Sequence, residues 1–190
     1  MEQANRTTSG GVIADTANRQ QYLTFVLGGE TYAIAILCIK EIIEYGRLTR
    51  VPMMPACVRG VINLRGAVVP VVDLQTRFGR DSVAVSKRTC IVIVEVAVEG
   101  TKQDVGVVVD QVNEVVEIPD SEIEPPPSFG SGIRSEFISG MGKIEGRFVV
   151  MLSLDTALSA DEFVVAAATA QCVVAHRGET ALEHEEAISA

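Results

Sequence analysis

Four carboxylates stand close to the ends of apolar runs: Glu41, Asp73, Asp110 and Asp155. Two of them brought together could act as a general acid and a general base. The other candidates for chemistry are Cys38, Cys57, Cys90 and Cys172, with His176 and His184. The cysteines are widely separated and both histidines lie near the C-terminus, so no zinc-ligand spacing results. They read as reduced, partly buried thiols, because a disulfide framework requires export and nothing in the sequence directs it. The sequence holds no glycine-rich phosphate loop, no GxSxG elbow, no HExxH and no nucleophile beside a histidine. The expectation is a non-enzyme with no catalytic residue, no metal and no cofactor.

Elements that would position these groups follow from composition. The chain has 190 residues, 47% hydrophobic and 22% charged, enough to bury a sizeable core. Valine and isoleucine dominate the apolar set, and aromatic residues make up only 5%, with no Trp. β-Branched side chains suit strands, so the class is mainly β. No stretch reaches the roughly 18 to 20 uninterrupted apolar residues of a membrane span, and residues 1–20 are polar without a signal-peptide core. The expected location is the cytoplasm, without direct membrane insertion.

The formal net charge is -9, yet Lys40 to Arg88 holds nine of the sixteen basic residues against Glu41, Glu44, Asp73 and Asp81. A local positive field in an acidic chain is either a solvated face or a surface for an acidic protein partner. No aromatic residues alternate with these arginines, so nucleic acid is not the expected partner.

Along the chain, Tyr22 to Leu27 and Glu30 to Ile36 are β-rich runs joined by Gly28-Gly29, a hairpin signal. A short apolar stretch, Ile39 to Ile43, ends before Val51-Pro52-Met53-Met54-Pro55, where proline removes backbone donors. Val58 to Leu64 and Ala67 to Val72 make a second hairpin at Arg65-Gly66, with glycine placed for a positive φ. The second half repeats this plan: strands at Thr89 to Val98 and Asp104 to Val109, an apolar segment Val112 to Ile118, and a hairpin from Phe137 to Leu152.

Two registers make the repeat explicit. VRGVINLRG from Val58 aligns with ISGMGKIEG from Ile138, and IAILCIKEIIE from Ile34 aligns with VVVDQVNEVVE from Val107. The first register sets Asp73 against Ser153, and both residue types cap helix N-termini, so Asp73 reads as a cap rather than an acid or base. About five short strands per copy suit a small closed barrel. A ligand in a barrel mouth is a further reading, although barrels of this size are normally filled by their own side chains. Ser159-Ala160-Asp161-Glu162 has capping-box spacing ahead of Phe163 to Val174, which predicts a C-terminal helix and then an acidic tail.

The stretch VRGVINLRGAVVPVVDL at Val58 to Leu74 resembles the signature of the CheW family, the coupling proteins of chemotaxis. YAIAILCIKEI from Tyr32, GVVVDQVNEV from Gly106 and SGMGKIEGRFVVMLSL from Ser139 resemble it too. The similarity covers roughly residues 21–161. It implies two five-stranded SH3-like barrels related by a pseudo-twofold, taken as intertwined subdomains of roughly 21–88 and 89–158. Short helices join them, flanked by an N-terminal extension (1–20) and the C-terminal helix and tail (159–190).

The resemblance also implies function: a non-catalytic adaptor or scaffold in two-component signal transduction, joining the cytoplasmic tip of chemoreceptors (methyl-accepting chemotaxis proteins) to the regulatory domain of a CheA-type histidine kinase. Such a protein would sit in receptor arrays on the inner face of the membrane. Carried over by position, the receptor-binding residues are Ile39, Glu41, Arg65, Val112 and Val115, and Gly60 belongs to the kinase-binding edge. Ile39 and Val112 are mates in the repeat, so the two barrels would bring equivalent apolar residues to one shared surface. The sequence departs from the family pattern at Cys38 and Lys40. No fused receiver or kinase domain accompanies it, which reads as a stand-alone coupler.

Overall fold

The structure is a computed structural model and describes residues 19–82, 84–98, 100–126 and 133–158. Among these residues the chain forms eleven strands and two very short α-helices: β1 (Arg19–Leu27), β2 (Glu30–Ala35), β3 (Ile39–Glu44), β4 (Val58–Leu64), β5 (Ala67–Asp73), α1 (Leu74–Arg77), β6 (Cys90–Val98), β7 (Thr101–Val109), β8 (Gln111–Pro119), β9 (Ile123–Glu124), β10 (Ile138–Ile144), β11 (Arg147–Leu152) and α2 (Leu154–Leu158). The expected hairpins are all present. The C-terminal helix expected after Ser159 lies outside the described residues.

The strands form a five-stranded sheet ordered β3-β6-β7-β5-β4 and a six-stranded sheet ordered β8-β1-β2-β11-β10-β9. Substituting repeat mates turns one order into the other, with the two-residue β9 added. Even the parallel pairs correspond: Met151↔Ala33 in one sheet matches Val71↔Gly106 in the other. Each sheet therefore takes its central hairpin from the opposite repeat. Strands from either side of residue 88 thus enter both sheets: β1–β2 belongs with β8–β11, and β6–β7 belongs with β3–β5.

Burial explains the exchange. Within the five-stranded sheet, Val69, Val71, Ile91, Ile93 and Val108 form a small core, and Tyr22, Ala33, Ile118, Val149 and Met151 form its counterpart in the other sheet. Between the sheets lies the largest core, where Leu23, Phe25, Leu27, Tyr32 and Ile34 meet Val92, Val94, Val96, Val105 and Val107. The exchanged hairpins are covered on both faces, which is why IVIV in β6 and VVV in β7 read as continuous apolar runs rather than alternating ones. Each such side chain contributes roughly 1.5 to 3 kcal/mol by leaving water.

Turns obey the local chemistry. Arg65 (φ 52°) with Gly66 (φ 89°) and Glu145 (φ 49°) with Gly146 (φ 78°) adopt the paired positive φ of tight primed hairpin turns. Asp73, as expected, caps α1: its side chain accepts from the Gln75 and Thr76 amides. The same carboxylate takes hydrogen bonds from Arg59 and from Ser82, with Arg59 Nη2 at 2.7 Å. Its repeat mate Ser153 shares a 2.9 Å hydrogen bond with the Thr156 hydroxyl instead.

Candidate functional site

Each sheet curls until its two edge strands approach. In the six-stranded sheet the chain crosses from β8 to β9 through a three-residue turn, Asp120–Glu122, and so passes from one edge of the sheet to the other. The five-stranded sheet is strapped similarly, because Thr49, between β3 and β4, exchanges backbone hydrogen bonds of 2.9 and 2.8 Å with Val61. A seam remains in each sheet beside the strap.

Glu41 reaches the seam of the five-stranded sheet because β3 carries a bulge. The register with β6 slips between Ile39 and Glu41, around Lys40, and the pairing of β8 with β1 slips at the corresponding place, between Leu23 and Phe25. Bulges re-aim the side chains beside them. Lys40 bonds Asp104 at 2.6 Å and Glu95 at 3.0 Å, and Lys102 holds Glu95 from the other side at 2.6 Å. Hydrogen bonds to Asp104 and then Glu95 push the Lys40 ammonium up, while Lys102 and then Lys40 hold the Glu95 carboxyl down. Across the seam, Arg65 Nη2 lies 2.8 Å from Glu41 Oε2. Two of the residues expected to bind a receptor are thus in contact, on strand β3 and on the β4–β5 hairpin tip.

Ile39 and Val112 are both half-buried against the core shared by the two sheets, one flanking it from each sheet. Val115, also on β8, keeps 48% of its surface exposed. Gly60 is set apart from them. It is buried, its φ is +151°, and a Cβ there would meet the Thr49 carbonyl oxygen at 2.5 Å and Leu48 Cβ at 3.2 Å. The edge expected to lie open at Gly60 is covered by the Leu48–Thr49 strap.

Sequence reasoning missed several exposed apolar residues. Leu37, between β2 and β3, and Met53, in the proline-flanked loop, are almost wholly exposed. Met53 also has a positive φ of 60°. Both stand in connections without periodicity, where an apolar residue gives no sign of which way it points. Among the thiols, Cys57 is buried and Cys38 and Cys90 are half-buried, and burial pushes the latter two up. Cys172 lies outside the described residues. Among the described residues no cluster of His, Cys, Asp or Glu could hold a metal ion, and no helix is long and apolar enough to cross a membrane.

A family model described as the CheW-like domain matches residues 21–162, most of the chain and all of both sheets but the first two residues of β1. The chain belongs to the CheW-like family. Among its CheW relatives, the chemotaxis protein CheW of Klebsiella aerogenes is 32% identical over 146 residues, covering 77% of this chain and 86% of the relative. The chemotaxis protein CheW of Rhizobium meliloti is 31% identical over 159 residues, covering 84% and 95%. The CheW-like fold is matched as well: the crystal structure of the scaffolding protein TtCheW from Thermoanaerobacter tengcongensis superposes with a TM-score of 0.67 at 33% identity, covering 75% of this chain and 90% of that one.

Proposed function

We propose that this protein is a non-catalytic adaptor of chemotaxis signal transduction that couples the cytoplasmic tip of chemoreceptors to the regulatory domain of a CheA-type histidine kinase. The observation that carries this reading is the CheW-like match across both sheets, joined to chemotaxis proteins named CheW that are similar over most of their length. The protein works in the cytoplasm, at receptor arrays on the inner face of the membrane.

The receptor's helical tip lies along the surface flanked by β3 and β8, with its apolar face against Ile39, Val112 and Val115. Glu41 and Arg65 supply the polar end of that contact. Their ion pair holds the guanidinium at the seam, so less side-chain freedom is lost when a receptor carbonyl or carboxylate accepts from its remaining donors. The kinase domain binds separate barrel edges. Gly60 acts on that side by letting Leu48–Thr49 lie against β4, which shapes the edge rather than touching the partner. The test is co-purification from cells: a CheA-like kinase and receptors are the expected partners, and recovery of an unrelated enzyme complex instead would overturn the reading.

A further inference from the structure

The repeat mates of Glu41 and Arg65 are Glu114 and Glu145. At the seam where the five-stranded sheet joins opposite charges, the six-stranded sheet therefore carries two carboxylates. Neither side chain has a hydrogen bond or ion pair among the described residues. Both line a cleft of about 560 Å³, whose wall includes Ile144 and Phe148, the latter 54% exposed. Glu30 also lines it but is already engaged by Arg80 at 3.1 Å and by the Tyr32 hydroxyl at 2.6 Å. Among the described residues, the one cation in the lining is Arg147.

We propose that this cleft is a docking site for a protein partner that presents an arginine, flanked by apolar side chains, on an extended segment. The guanidinium takes the place between Glu114 and Glu145 that Arg65 supplies from within the chain at the equivalent seam, and its apolar neighbours cover Phe148 and Ile144. Charge complementarity selects this occupant: a planar fork of donors suits paired carboxylates, and an apolar stem suits the wall beneath. The chain's own ends do not fit, because residues 159–190 hold six acidic residues against Arg177, and residues 1–18 hold Glu2 and Asp15 against Arg6. The inference goes beyond the coupling reading and does not depend on it.

The probe is a short capped peptide alternating arginine with valine, titrated by fluorescence anisotropy against the full chain. Binding should saturate, weaken with added salt, and be lost when serine replaces each arginine of the peptide. Glu145→Arg should weaken it at least about tenfold, by rebuilding within the chain the ion pair of the other seam. Arg147→Gln, which removes the opposing cation, should strengthen it. Glu44→Gln, at an exposed carboxylate on the other sheet, should leave it unchanged. No saturable binding, equal binding of the serine peptide, or equal losses for Glu44→Gln and Glu145→Arg would each overturn the proposal. Self-association of the chain that Glu145→Arg abolishes would assign the cleft to a second copy and overturn it too. Receptor and kinase titrations are separate measurements, so failure here leaves the coupling reading standing.

Discussion

Arg65 and Glu41 touch across the seam of the five-stranded sheet, at 2.8 Å, although they belong to its opposite ends: β3 is one edge strand and β4, which leads into Arg65, is the other. The guanidinium side chain is 80% exposed and the carboxylate 24%, so the pair sits at the surface. Exposed ion pairs are worth about 0 to 1 kcal/mol, which makes this one a weak staple for the fold and an available one for a partner.

Charge reversal should therefore separate stability from binding. The equivalent turn in the other sheet already holds a glutamate, Glu145, at almost the same φ. Arg65→Glu should unfold within about 1 kcal/mol of the native protein while losing at least about tenfold in affinity for a receptor cytoplasmic fragment. Kinase affinity should hardly change. Paired calorimetric titrations on folded protein check this, and equal loss for both partners would show that Arg65 does not face the receptor.

At Gly60 the expected effect is on folding. A methyl group at φ +151°, 2.5 Å from the Thr49 carbonyl oxygen, forces either the strap or β4 to move. Gly60→Ala should cost about 1 to 3 kcal/mol, read from denaturant midpoints. Loss of kinase binding in the fraction that remains folded would further show that the strap shapes that edge. A native midpoint would mean that Leu48–Thr49 does not lie where it is described.

Asp73 holds together three elements, through the α1 amides, Arg59 on β4 and Ser82 beyond α1. Its side chain is only 5% exposed. Asp73→Ala removes a helix cap and leaves a half-buried guanidinium without its partner, so destabilisation of at least about 2 kcal/mol is expected by thermal or denaturant unfolding. A change within about 0.5 kcal/mol, the range of an ordinary surface substitution, would contradict the capping role.

The Tyr32–Glu30 hydrogen bond makes a pH-dependent prediction. Tyr32 is fully buried, and its hydroxyl, with Arg80 behind it, holds the Glu30 carboxyl below its ordinary value. Burial and then Glu30 push the Tyr32 phenol up. A carboxylate lowered by folding adds stability above its unfolded pKa and loses it as pH falls through the folded one. Tyr32→Phe should cost about 1 kcal/mol near neutrality and distinctly less in acid, where Glu30 is protonated in the folded and unfolded chain alike. Denaturant titrations at the two conditions compare the costs, and a cost independent of pH would remove Glu30 from the explanation.

Much of the fold was legible because hairpins announce themselves locally: Gly28-Gly29, Arg65-Gly66 and Glu145-Gly146 mark turns where a positive φ is required. Strand partnership was not. β1–β2 and β6–β7 are apolar on both faces, so alternation carried no sign of which sheet each enters, and elements adjacent in the chain are divided between the two sheets. The repeat exposed Ile39 and Val112 as a pair, and both do flank the shared core. The contact between Glu41 and Arg65 depends on sheet curl, and the cover over Gly60 comes from a connection without periodicity, so neither could be read from spacing. Phe148 is exposed immediately before the buried Val149, and the seam beside it explains that.

The central claim is that one chain joins two partners, and the most direct measurement is a three-component titration of the purified chain with a receptor cytoplasmic fragment and the regulatory domain of a CheA-type kinase. The account predicts that each partner binds alone, that saturating kinase domain leaves receptor binding intact, and that all three co-sediment. Absence of binding to both partners, or competition between them for one surface, would contradict it.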